Sequence, residues 1–242
     1  MNPELFQQMT KAQTTHWWFR ARRQVLRQII TVLELPPDCQ ILEIGCGTGG
    51  NLPMLREYGQ VTAIESDDFA RHHAAQTCGV TVLPGSLPDA LPPLPRRFDL
   101  ICLFDVLEHI ADDRAALERI RPLLADGGHL LLTVPAYQWL FSAHDRSHHH
   151  FRRYLATDLG SMARRVEFKI QRLGYFNTFL FPLAVAARLA STLLPGEVSP
   201  GIKTPPRLLN GLLYSIFAAE APLVRHRLFP IGTSVAALMQ AA

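Results

Sequence analysis

Residues 41–50 read Ile-Leu-Glu-Ile-Gly-Cys-Gly-Thr-Gly-Gly. A short apolar run carrying a single acid, Glu43, ends in a cluster with glycine at 45, 47, 49 and 50. An apolar strand that stops in such a turn brings the backbone close to a ligand, because glycine has no side chain and tolerates positive φ. A helix is expected to begin near Asn51, and strand–turn–helix is how open α/β sheets build nucleotide sites. Gly45, Gly47 and Gly50, with Glu65 about 20 residues on, also satisfy the dinucleotide fingerprint. Two details point elsewhere. Glu43 stands inside the strand, and Gly49 directly precedes Gly50.

Working outward, residues 3–34 read as helical, with Val25, Leu26, Ile29, Ile30 and Leu33 at helical spacing and Pro36-Pro37 as the stop. Strands are expected at 41–44, 60–65, 80–83, 98–104 and 129–134. Helices are expected at 51–57, 68–77, 112–125 and 155–166, and Asp126-Gly127-Gly128 reads as a turn. A sixth strand fits 167–172 and a last one 231–240. Strands alternating with helices imply a mostly parallel sheet covered on both faces. Ligands bind such sheets at the carboxyl ends of the strands. Gly45–Gly50, Glu65, Gly85-Ser86, Asp105–His109 and the residues from Pro135 onward all fall there.

The chain has 242 residues, 48% of them apolar, enough for one domain with an insertion. A net charge of +3 carried by scattered arginines does not imply nucleic-acid binding. The four cysteines, at 39, 46, 78 and 102, lack CxxC spacing, which suits reduced thiols in a cytosolic protein. The first residues show no basic segment followed by an apolar one, so no signal peptide is expected.

Glu-x-Gly-x-Gly-x-Gly at 43–49 resembles motif I of the class I S-adenosylmethionine (SAM) methyltransferases. The resemblance implies a Rossmann-like, seven-stranded, mostly parallel sheet with an antiparallel last strand. It also implies SAM as cofactor and S-adenosylhomocysteine as product. Glu43, Gly45, Cys46, Gly47 and Gly49 would pass under the methionine and ribose of SAM. Glu65, followed by Ser66, would accept the ribose hydroxyl protons, a task suited to a carboxylate. Gly85 and Ser86 fall where the family often contacts adenine with an Asp; with Ser there, the backbone would do that work. Phe104 and Asp105, opening Phe-Asp-Val-Leu-Glu-His-Ile, would line the methyl-donor pocket, with His109 a lesser candidate base.

His144-Asp145-Arg146-Ser147-His148-His149-His150-Phe151-Arg152-Arg153-Tyr154 overhangs the sheet's carboxyl edge. It resembles a His-Asp…Arg-Arg-Tyr signature of a bacterial subset, type 11/12-like, associated with glycan or lipid assembly. His144, then His148 or His149, are the candidate bases, since imidazole deprotonates a hydroxyl near neutral pH. Arg153 and Tyr154 would place the acceptor. A purely structural loop and a metal site of His144, Asp145 and a later His are the other readings; no metal is expected, because the spacing fits no defined pattern. His16-Trp17-Trp18-Phe19 resembles a stretch that precedes the core in the same subset, so residues 1–38 are expected to lid the pocket.

The core is then 39–175 with 230–242, and 176–229 is a helical insertion. Its apolar stripe, Leu208, Leu209, Leu212, Leu213, Ile216 and Phe217, is flanked by Lys203, Arg207, Arg225 and Arg227. That suits peripheral contact with the inner face of a membrane, a lipid-linked acceptor or a homodimer. The function expected is methyl transfer to an oxygen or carbon of a small or lipid-linked acceptor. The alternatives are a nicotinamide-dependent oxidoreductase and a non-catalytic, membrane-associated SAM-binding protein.

Overall fold

The strand quoted first, β1 (Gln40–Ile44), pairs in parallel with both β2 (Gln60–Glu65) and β4 (Phe98–Phe104). With β3 (Thr81–Pro84), β5 (Leu124–Pro135), β6 (Phe168–Phe176) and β7 (Ser234–Ala241), they form one sheet in the order β3-β2-β1-β4-β5-β7-β6. β7 runs antiparallel between β5 and β6. The computed structural model describes residues 10–94, 96–193 and 204–241.

Nine helices named here clothe the sheet: α1 (Trp17–Ile30), α2 (Leu52–Leu55), α3 (Asp68–Cys78), α4 (Asp113–Ile120), α5 (Ala143–Ser147), α6 (Ala156–Arg165), α7 (Phe181–Leu193), α8 (Arg207–Ala218) and α9 (Ala221–Val224). Side chains alternate across each strand. Leu100, Cys102 and Phe104 of β4 therefore meet Val25, Leu26, Ile29 and Ile30 of α1 and Phe217 of α8 on one face. Ile101 and Leu103 meet Leu117 and Ile120 of α4 and Leu159 of α6 on the other. Fully burying one such aliphatic side chain contributes about 1.5–3 kcal/mol. Leu26→Ala would cost about 2–5 kcal/mol through the cavity it leaves.

Of the boundaries that differ from expectation, three have a clear physical cause. The helix expected to 125 ends at Ile120, because Pro122 has no N–H to continue the ladder, and a single 3-10 turn follows. β5 consequently begins at Leu124, and Asp126-Gly127-Gly128 forms a bulge inside it against Phe98 and Leu100 of β4. β6 runs to Phe176, four residues beyond expectation, because its partner β7 continues opposite it.

The N-terminal helix is interrupted at His16. The imidazole there caps α1 by accepting the Trp18 amide at 3.2 Å. Asn210 of α8 closes the break from both sides. Its Oδ1 accepts the Trp17 amide and its Nδ2 donates to the Thr15 carbonyl, each at 2.9 Å. Of the segment expected as a lid, residues 1–9 lie outside the described residues. Residues 17–30 are a layer packed on the sheet, and residues 10–15 are a helical piece that reaches the glycine turn.

The apolar stripe of the insertion divides. Phe217 is fully buried, and Leu213 and Ile216 pack against the same cluster, whereas Leu208 is 91% exposed and Leu209 and Leu212 are also exposed. Of the flanking cations, Arg207, Arg225 and Arg227 are exposed, and Lys203 lies outside the described residues. Among the described residues no helix is long and apolar enough to cross a membrane.

Candidate active site

At the carboxyl end of β1 the chain turns through Gly45, Gly47 and Gly49 at φ 75°, 55° and 87°. This left-handed backbone is where glycine is the natural residue. A Cβ at Gly45 would strike Val106, and one at Gly49 would strike Cys78. At Gly47 the space is open among the described residues, with Gln13 Nε2 at 4.0 Å. Glu65, at the end of β2, braces the turn by accepting the amides of Gly47 at 2.7 Å and Asp67 at 2.9 Å. Ser66 is exposed, 3.4 Å from the same carboxylate. From above, Gln13 accepts the Thr48 hydroxyl at 2.8 Å.

Glu43 is buried beneath this turn. One carboxylate oxygen accepts from Asn51 Nδ2 at 2.9 Å, and the other has no partner. Burial pushes the carboxyl up to about 7, against the pull of the Asn51 hydrogen bond and of Arg22. Cys46 turns its side chain inward against Leu52, Ala63 and Ala74, where burial raises the thiol far above its usual range. Gly85 is glycine because a Cβ would strike the Ala90 carbonyl and Pro92. The Ser86 backbone, expected to serve adenine, exchanges both its hydrogen bonds with Ala90, which leaves only its exposed side chain.

Beyond β4 the character changes. Asp105 sits at φ 57°, pairs with Arg22 at 2.8 Å and accepts from Thr133 at 3.2 Å. Arg22 is almost fully buried, lies over the rings of Trp18 and Phe104 and also donates to Thr133 at 2.9 Å. Sequence reasoning passed over Arg22 and Thr133. The signal was there: Arg22 stands three, four and seven residues before Val25, Leu26 and Ile29, on the face that goes inside. The three consecutive aromatics Trp17, Trp18 and Phe19 are all half-buried, none wholly in the core.

Asp145 is the hub of the His-rich segment. It is fully buried, takes Arg153 in a two-point grip at 2.8 and 2.9 Å, caps α5 through Ser142 and meets His150 Nδ1 at 3.0 Å. Burial works to raise its pKa, but the hydrogen bonds from His150 and Arg153 hold it well below the carboxylate range. Arg153, expected to grip the acceptor, is thus occupied by Asp145. Tyr154, expected beside it, is buried with its hydroxyl donating to Asp113 at 2.8 Å, and Arg152 pairs with the same carboxylate. Both expected acceptor ligands are spent on holding the segment in place. His144 and His149 are exposed. The His148 ring lies tilted at 50° to that of His144, 4.3 Å between centroids, and burial, then His144 and His150, lower its pKa to about 4. That makes His148 a weak base at neutral pH. Glu108, in the turn after β4, is fully buried with neither oxygen partnered among the described residues, and burial, then Asp105, push its carboxyl well up.

The strand order, the glycine turn and the acid ending β2 define a class I methyltransferase fold with its cleft at the carboxyl edge. Residues 17–173 match the methyltransferase-domain family, and the chain belongs to it. Among curated relatives, the ubiquinone biosynthesis O-methyltransferase of Serratia proteamaculans is 29% identical over 104 residues, 40% of this chain and 43% of the relative. That of Cereibacter sphaeroides is 34% identical over 102 residues, 39% and 40% of the two chains. The chain therefore spans less than half the length of these relatives. A TehB-like SAM-dependent methyltransferase from Corynebacterium glutamicum shares the fold at a TM-score of 0.58 and 17% identity, with both chains fully covered. The N-methyltransferase NodS of Bradyrhizobium japonicum, solved with S-adenosylhomocysteine, does so at 0.52 and 21%, covering 64% of this chain and 78% of its own.

Proposed function

We propose that this chain transfers the methyl group of SAM to an oxygen of a small or lipid-linked acceptor. The open space at Gly47, above a fully buried Glu43 with one unpartnered oxygen, carries the SAM half of the reading. These residues fit the cofactor. Gly45–Gly49 would lie under its methionine and ribose, Glu65 would exchange backbone partners for the ribose hydroxyls, and residues 10–15 would close over it as the lid. SAM supplies a methyl activated by its sulfonium; the protein's contribution is to place the acceptor in line and exclude water.

The curated relatives are named O-methyltransferases, which favours oxygen over carbon. The lipid-linked acceptor rests on an apolar path leading away from the cleft. Tyr137 and Trp139, just beyond β5, contact Phe181 of α7 at 5.5 and 6.3 Å between ring centroids. Trp139, Leu183 and Leu189 are exposed apolar residues of the same two segments. An acceptor with a polyprenyl or similar tail would lay it there, with the exposed Leu208, Leu209 and Leu212 against an anionic membrane surface.

Gly47→Val fills the open space. Calorimetry should show SAM binding abolished in a folded protein, and unchanged affinity would sink the assignment. Acceptor transfer is tested with radiolabelled SAM and a hydroxylated aromatic acceptor, with and without a polyprenyl tail. Equal turnover of the two would remove the lipid-linked half of the proposal.

A further inference from the structure

Three side chains able to ligate a metal converge between the turn after β4 and the segment after β5. Glu108 and His109 end the 3-10 turn after β4, and His150 lies beyond α5. The hydrogen bond from the Phe151 amide to the Glu108 carbonyl, 2.8 Å, ties the two segments together. One potential ligand atom from each of the three residues lies within 4.8 Å of the others. The His109 and His150 rings meet edge-on with centroids 4.5 Å apart.

Three features suit a cation here. Glu108 is fully buried and neither oxygen has a hydrogen-bond partner among the described residues. Removing a carboxylate from water without a partner is costly. His150 gives Nδ1 to Asp145, which leaves Nε2 for a ligand bond; a carboxylate behind a ligating imidazole fixes its tautomer and orientation. Asp145 is itself held rigid by Arg153 and Ser142.

We propose that Glu108, His109 and His150 bind a divalent transition-metal ion, zinc by preference, and leave one coordination position open toward the acceptor. Two imidazoles and one carboxylate with a vacant fourth position form a donor set typical of reactive zinc. The ligand atoms need to draw in from 4.8 Å to about 3.4 Å, the edge of a tetrahedron with bonds of about 2.1 Å. That is within reach of small side-chain rotations. The open position would take the acceptor hydroxyl and lower its pKa, so that its proton passes to water and the oxygen remains on the metal as an oxyanion. This last step rests on the methyl-transfer reading; the binding of metal does not.

The full chain, stripped with a chelator, is titrated with Zn²⁺ by calorimetry and with Co²⁺ by its visible absorption. One equivalent is expected, with a rise in melting temperature. Glu108→Gln and His150→Ala should each weaken binding beyond the 10–100-fold typical of losing an outer partner. The distant His226→Ala should leave it unchanged. SAM affinity is measured on every variant as a check on folding, and His109→Ala replaces His150→Ala if the latter does not fold. No uptake by the wild-type chain overturns the proposal, as does uptake that survives both ligand substitutions. Loss of SAM binding to the wild-type chain would defeat the methyl-transfer reading while leaving the metal titration to be read independently.

Discussion

The glycine turn after β1 and the His-rich segment after β5 lie on either side of β4, yet they are built from different materials. The turn is a backbone construction. Its shape follows from left-handed residues at 45, 47 and 49, and a carboxylate holds it through main-chain amides. The segment is a side-chain construction, in which Asp145, Arg153, His150 and Ser142 lock one another together. A turn of the first kind tolerates changes of side chain but not of backbone geometry. A segment of the second kind does the reverse, because the one carboxylate of Asp145 serves Arg153, His150 and Ser142 at once.

The largest expected effect tests the side-chain end. Asp145→Ala leaves the mostly buried Arg153 without its carboxylate, keeping only the longer bond to the Ala136 carbonyl, and should cost about 3–5 kcal/mol in urea denaturation. A cost below about 1 kcal/mol would mean that the segment is held by its backbone after all.

Next comes Glu43, beneath the turn. Burial raises its carboxyl from 4.5 to about 7 in the folded chain. Its contribution to stability is therefore fully present below about pH 4.5 and is lost as pH rises through about 7. Wild type should lose about 3 kcal/mol relative to Glu43→Gln across that window, an order-of-magnitude figure. Urea denaturation of both proteins at pH 5 and pH 8 measures the difference, and parallel profiles would show that Glu43 does not titrate there.

Glu65→Ala should weaken SAM binding by about 1–3 kcal/mol in calorimetry, the usual cost of a lost charged hydrogen bond. An unaltered affinity would leave Glu65 as a brace for the Gly47 amide and nothing more.

The smallest effect on stability is expected from Leu208→Glu with Leu212→Glu. Both positions are exposed, so the change should stay within about 0.5 kcal/mol for each, while flotation with anionic vesicles is lost. The same charges at Leu213 and Phe217 would instead enter the core against Trp17 and Phe176. Flotation unaffected by the outer pair would move the vesicle contact elsewhere or remove it.

The contrast between the two ends also accounts for what could be read from the sequence. The glycine turn, β1, β2 and β4 were legible because glycine spacing and strand alternation are local properties. The antiparallel placement of β7 was reached through the family resemblance. Arg22 with Asp105, Glu108 beside His150, and Arg153 with Asp145 were not legible. The first two pairings join distant stretches of chain, and the third depends on how a turn folds back. Arg153 and Tyr154 looked available because an Arg-Arg-Tyr run is polar; in the fold Asp145 takes the first and Asp113 the second. The stripe at 208–217 showed the right helical period, but periodicity alone did not say which part of it faces α1.

Asn210 sets an order of events. It closes the chain break at His16 from 193 positions further along. Until α8 has left the ribosome, the Thr15 carbonyl and the Trp17 amide have no such partner, and the piece carrying Gln13 is tied to α1 only through bonds such as Arg23 to the Gln13 carbonyl and the His16 amide to the Ala12 carbonyl. β7 emerges later still, and β6 pairs with no other strand of the sheet. The nascent chain can therefore build β1 through β5 early. The cover over its glycine turn waits for α8, so residues 10–15, made before every strand of the sheet, settle after most of it.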